Sequence, residues 1–165
     1  MTQRPQDRFR AVVTTDQGRC RVAVAGVIDE NADLAPLQAA AGAGAVEVDF
    51  SGVRRINSYG VRAWMNAMRE LQQPGVRVSF VRCPAHVIDQ VNMVHGFLGA
   101  AHVESLIAPR LCEDCDEHAD QLIELAELRG RGGKLPDLAC PRCGHPMDLD
   151  DVAHKYELLL TLLPE

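Results

Sequence analysis

No apolar run in the chain approaches the roughly 18 residues needed to cross a bilayer. The opening segment, Met1 to Asp7, puts no apolar core behind its charge. The sequence therefore predicts neither a membrane span nor a secretory leader, and the cytoplasm is the expected compartment. Basic charge is also short: 17 Lys and Arg stand against 23 Asp and Glu, a formal net charge of −6. That deficit argues against a chain whose work is to neutralise a phosphate backbone or an anionic membrane. A P-loop, a Ser-His-Asp arrangement and a paired-carboxylate pattern are all lacking, so no catalytic residue is assigned and the chain is expected not to be an enzyme.

What is present is a composition suited to a folded domain: 165 residues, 47% hydrophobic and 24% charged. Charge divides it in two. Residues 1–110 hold 12 Arg, no Lys and 10 acidic residues, whereas residues 111–165 hold 5 basic and 13 acidic residues, −8 in all. The six cysteines divide likewise: Cys20 and Cys83 lie singly in the first part, and Cys112, Cys115, Cys140 and Cys143 form two pairs in the second. Two modules are expected, 1–110 and 111–165, joined near Pro109-Arg110.

In the first module, residues 9–14 and 20–25 are β-favouring runs separated by Asp16-Gln17-Gly18, the pattern of a hairpin. Residues 45–50 alternate, with Val46, Val48 and Phe50 on one face, and residues 76–80 alternate after Pro74-Gly75. Between them Val61, Trp64, Met65, Met68 and Leu71 recur at helical spacing, predicting an amphipathic helix over 59–72 whose apolar stripe faces a core. Val87, Ile88, Val91 and Val94 repeat the pattern after Pro84, with Gly96 placed to end the helix. Leu34, Leu37 and alanines 39–41 make a weaker helix, and residues 102–107 one last edge strand. The order β-β-α-β-α-β-α-β predicts an α/β fold, a mixed sheet with helices packed on it.

Asp49-Phe50-Ser51-Gly52-Val53, followed by Ile56-Asn57-Ser58-Tyr59-Gly60-Val61, resembles the central signature of STAS domains, the fold of bacterial anti-sigma factor antagonists. The resemblance covers roughly residues 9–108. It implies a STAS-like sheet and a protein partner, an anti-sigma factor or another protein with a histidine-kinase-type ATPase fold. It also places Ser58 where antagonists carry their phosphoacceptor, with Asn57 where they have Asp and Tyr59 where they have a second small hydroxyl residue. On its own residues, Ser58 directly precedes the helix and is expected to be its N-cap, the hydroxyl accepting an orphan backbone N–H. A phosphate there would meet the positive helix end and act outward on a docked partner. Cap alone and regulated phosphosite both stand open, and Asn57, Ser58, Tyr59 and Gly60 form the candidate docking loop. Gly60 is expected to keep that loop thin.

Leu111-Cys112-Glu113-Asp114-Cys115 and Cys140-Pro141-Arg142-Cys143-Gly144 are two C-x-x-C knuckles, 24 residues apart. Each gap lets two thiolates face one ion, and the pairs complete a tetrahedron suited to one structural Zn²⁺. Four thiolates leave no open position for hydrolytic chemistry. His118, His145 and His154 are close enough to substitute as ligands but fit surface positions first, and Cys20 and Cys83 fit buried thiols. The intervening stretch is expected to hold a helix on Leu122, Ile123, Leu125, Ala126 and Leu128. A final helix on Val152, Tyr156, Leu159, Leu160 and Leu163 has three candidate places: on the zinc module, on the first module, or on a partner. The second module is thus a small zinc-ribbon-like unit with two helices, too acidic to hold nucleic acid.

Three functions follow. The first is a non-enzymatic signalling module that binds a protein partner and is switched at Ser58. The second is a constitutive subunit of a larger ATPase or transport complex, favoured by Asn57 and Tyr59. The third treats the cysteine pairs as redox catalysts, which lacks a thioredoxin-like pattern around them.

Overall fold

The turn at Gln17-Gly18 places both residues in the left-handed region (φ 45° and 79°), the geometry a two-residue hairpin requires. It joins β1 (Arg10–Asp16) to β2 (Arg19–Ile28) in antiparallel register, Asp16 opposite Arg19. This computed structural model describes residues 8–163; Met1–Asp7 and the last two residues lie outside the described residues. From β2 the chain runs through α1 (Ala35–Ala39), β3 (Ala45–Ile56), α2 (Ser58–Leu71) and β4 (Arg77–Val81). The two-residue β5 (Cys83–Pro84), α3 (Ala85–Met93) and β6 (His102–Val103) follow. The first sheet has strand order β1-β2-β3-β4-β6, with β2, β3, β4 and β6 parallel. The expected element order is realised apart from the added two-residue β5, and the fold is the mixed α/β arrangement anticipated for residues 9–108.

Alternation decides which face is covered. Val22, Val24, Val46, Val48, Phe50, Val78 and Phe80 are buried beneath Leu37 of α1 and Trp64, Met68 and Leu71 of α2. Phe50 and Phe80 meet the Trp64 ring at 5.1 and 5.9 Å between centroids, and Phe97, beyond α3, stacks on it at 5.9 Å. Four of the chain's seven aromatic residues therefore sit in one cluster that fixes α2 to the sheet.

The second half departs from expectation. The single edge strand foreseen over 102–107 divides at Glu104, so that β6 closes the first sheet and β7 (Ser105–Cys112) enters another. There β7 lies between β8 (Glu117–Glu124) on one side and the short β5 and β9 (Asp148–Leu149) on the other. Pro109-Arg110 thus falls inside a strand. A proline is tolerated at that point because its carbonyl accepts from Asp150 N (3.0 Å), on the β9 side. The missing N–H faces the same way, and the β8 ladder loses nothing. Leu122 and Ile123, expected on a helix, belong to β8, and only Leu125–Gly130 is helical (α4).

The last helix, α5 (His154–Leu162), takes one of its three foreseen places and packs on α3. Tyr156 and Leu159 are buried, while Val152, expected on the apolar face, precedes the helix and is exposed. Lys155 Nζ reaches Asp89 on α3 (3.0 Å) and Asp151 (2.8 Å), and Asn92 Nδ2 donates to Lys155 O. One continuous apolar core runs from Cys20 to Leu163. Among the described residues no helix is long and apolar enough to cross a membrane.

Candidate functional site: a four-cysteine centre and an exposed helix start

β7 ends at Cys112, so the first knuckle is the turn that carries the chain into β8. The second lies in the loop before β9, which β9 pairs back onto β7 at Arg110 and Leu111. These two pairings bring Cys112, Cys115, Cys140 and Cys143 together, with all four sulfurs within 4.8 Å of one another. Cys112 Sγ lies 3.5 Å from Cys143 Sγ, and Cys115 Sγ lies 3.6 Å from Cys140 Sγ. A tetrahedron with metal–sulfur bonds of about 2.3 Å has edges of about 3.8 Å, so the donor set fits a tetrahedral ion such as Zn²⁺.

The two turns share one backbone design. Asp116 N donates to Cys112 O and Gly144 N to Cys140 O, each at 2.9 Å. The residue after each second cysteine is left-handed, Asp116 at φ 56° and Gly144 at φ 77°. Gly144 adopts that region freely, whereas Asp116 does so as one of the few L-residues that tolerate it. The sequence marked only Gly144. Burial by itself would raise the Cys140 thiol, but hydrogen bonds from the backbone N–H groups of Cys143 and Arg142 bring it down to about 7. His145 and His118 are exposed and face Asp114 (3.4 Å) and Asp150 (3.8 Å), and His154 faces Glu157. None of the three joins the cluster. Cys20 and Cys83 are buried apart from it, and burial pushes the Cys83 thiol well up.

The other candidate lies where β3 turns into α2. The expected cap is corrected: Asn57, not Ser58, caps α2. Asn57 is extended (φ −99°, ψ 174°), and its Oδ1 accepts from Gly60 N at 2.8 Å. Its Nδ2 donates to Glu30 (3.0 Å), and its own N–H to Ile28 O (3.1 Å), which ties the helix start to the end of β2. Asn ranks with Asp and Ser as a capping residue, so the signal was in the sequence one position earlier. Ser58 is instead the first helical residue, exposed, with its hydroxyl free of the cap. Tyr59 beside it is 70% exposed. Gly60 does not thin the outer surface. It is buried against β2, where a Cβ would stand 1.9 Å from Ile28 O.

Asp49, the acidic residue of the signature, points to the helix-free face of the sheet and is buried. It accepts from Arg21 (2.9 Å), from Arg82 Nε (3.0 Å) and from Ser51 N (3.0 Å). Its role is to pin β2, β3 and the residue after β4 together.

Residues 11–95 match the family model described as "Mlab, STAS domain". The match holds Asn57, Ser58, Tyr59 and Gly60 and none of the four clustered cysteines. Among solved structures, the crystal structure of an anti-sigma factor antagonist from Mycobacterium paratuberculosis is similar at 24% identity and a TM-score of 0.36, over 48% of this chain and 73% of that one. No curated protein matches the chain.

Proposed function

The chain belongs to the STAS domain family, and from that membership we propose that it is a non-enzymatic partner-binding module of bacterial cytoplasmic signalling, similar to anti-sigma factor antagonists. Its partner is an anti-sigma factor or another protein with a histidine-kinase-type ATPase fold, and the docking face is the start of α2 with Asn57, Ser58 and Tyr59. The observation that carries this reading is the exposed Ser58 hydroxyl, which the helix cap does not use, beside an exposed Tyr59 ring. Because Asn57 holds the helix, a phosphate on Ser58 leaves α2 formed and adds about two negative charges to the surface that a partner must cover.

One Zn²⁺ per chain, held by Cys112, Cys115, Cys140 and Cys143, has a structural role. The knuckles bracket β8 and precede β9 and α5, so ligation ties the acidic tail to the strand β7 that leaves the STAS sheet. Around the four cysteines the separate apolar cluster is small, Cys112, Cys140 and Met147, so this end of the second sheet gains most of its order from such a tie.

A second reading keeps the fold and drops the switch: a constitutive subunit of an ATPase or transport complex. Tyr59, bulky where antagonists carry a small hydroxyl residue, favours it. Phosphoprotein mass spectrometry of the protein isolated from its own cells separates the two. A phosphate on Ser58 supports the first reading, and unmodified Ser58 with persistent co-purification of an ATPase supports the second.

A further inference from the structure

Strand β8 ends the second sheet. It has β7 on one side and, among the described residues, no strand on the other. Its pairing with β7 is regular throughout, from Glu117 opposite Cys112 to Glu124 opposite Ser105. A sheet edge offers a row of unpaired N–H and C=O groups, and proteins blunt such edges with Lys, Pro, a bulge or a very short strand. The eight residues of β8 hold no Lys, Pro or bulge. The charges they do carry, Glu117, Asp120 and Glu124, are all acidic, so they deter a like-charged strand and not a basic one.

Side chains alternate on this strand. Ile123 faces the core and is buried, whereas His118, Asp120, Leu122 and Glu124 face solvent. Leu122 is 54% exposed, with Asp120 two residues before it and Glu124 two residues after. These acids decide which strand can be accepted. Antiparallel pairing of β8 with its own copy, centred on Leu122, would set Asp120 against Glu124 twice, and directly opposed like charges are destabilising. Nucleic acid is repelled for the same reason.

We propose that β8 is an acceptor edge for an extended segment of another protein, added as a further strand and carrying the pattern cation–any–apolar–any–cation. The two cations stand opposite Asp120 and Glu124, and the apolar residue covers Leu122. The pattern is symmetric about its centre, so it fits in either strand direction. Main-chain hydrogen bonds supply the attachment and the alternate side chains the selection.

The test uses ¹⁵N-labelled, zinc-loaded full-length protein titrated with the blocked peptide Thr-Lys-Thr-Val-Thr-Lys-Thr. Amide shift changes are expected to centre on residues 117–124, with slowed hydrogen exchange there. A peptide of identical composition with its two lysines adjacent is expected to bind more weakly. The exposed double variant Asp120→Lys/Glu124→Lys is expected to lose at least about tenfold in affinity, since two attractive cross-strand pairs become repulsive. The unchanged spectrum of the first sheet reports that this variant is folded. Ser58→Asp is expected to bind the peptide like wild type, which keeps this edge distinct from the docking loop. Equal binding of both peptides, equal binding by the double variant, shifts centred elsewhere, or no binding at millimolar peptide would overturn the proposal.

Discussion

Asn57 Oδ1 accepts the Gly60 amide N–H at 2.8 Å, and that bond releases Ser58 from the capping of α2. A Ser58 hydroxyl serving as the cap would be occupied on the helix end. Displaced by one position, it stands on the exposed first turn. Asn57→Ala is expected to cost about 1 kcal/mol in urea unfolding, the usual loss for an N-cap. Ser58→Ala is expected to stay within about 0.5 kcal/mol of wild type, as exposed substitutions do. The reverse ranking would return the cap to Ser58.

Gly60 carries a sharper expectation. Its missing side chain is what lets the first turn of α2 rest on the Ile28 carbonyl, and the obstructing atoms are backbone. Gly60→Ala should destabilise the domain by about 3 kcal/mol or more, since neither element can yield without shifting the helix from the sheet. Thermal unfolding monitored by Trp64, in the aromatic cluster beneath α2, reads the effect.

The cysteine centre predicts one tightly held zinc per chain by elemental analysis. Replacement by Co²⁺ should give the intense ligand-field bands of a tetrahedral thiolate site. Cys140→Ser should lower zinc content and loosen residues 112–149 while leaving the first sheet intact, which hydrogen exchange resolves segment by segment. A metal-free protein with four readily alkylated thiols would contradict this assignment.

The contact of α5 with α3 should depend on pH at both ends. Burial by itself would raise Asp151, yet hydrogen bonds from Lys155, the Val152 amide and the Tyr156 hydroxyl hold it below its ordinary value of 3.8. Its contribution is complete above that value and is lost as pH falls through the lower folded one. Burial by itself would lower Lys155, yet Asp151 and Asp89 hold it above 10.5. That contribution is complete below 10.5 and is lost as pH rises through the higher folded value. Amide exchange in α5 should therefore be slowest between these limits. Lys155→Met, which takes the cation from two carboxylates of which Asp151 is largely buried, should cost about 2 kcal/mol. It should also shrink the alkaline limb to the part supplied by the Tyr156 phenol, which burial and Asp151 hold well above its ordinary value.

The first sheet was legible because its strands alternate and its long helix repeats at three and four, so Val46, Val48, Phe50, Trp64 and Met68 announced the same face. The cysteine pairs were legible for a different reason: their spacing is set by the ion's geometry and does not depend on packing. Around β8 the sequence was ambiguous. Leu122, Ile123, Leu125 and Leu128 satisfy a helical stripe, but Ile123 is buried from a strand and Leu125 and Leu128 from the short α4. Alternation through Ala119, Gln121 and Ile123 was the competing signal, weak because only Ile123 is strongly apolar. Lys155 with Asp89 could not be foreseen, since 66 residues separate them and no local pattern joins α5 to α3.

The central claim is that the start of α2 docks a protein partner under the control of the Ser58 hydroxyl. Its most direct measurement is titration calorimetry of wild type, Ser58→Ala and Ser58→Asp against every histidine-kinase-type ATPase-fold protein that its own genome encodes. The account predicts that wild type and Ser58→Ala bind one of them alike while Ser58→Asp binds it far more weakly. Equal binding by all three would contradict it.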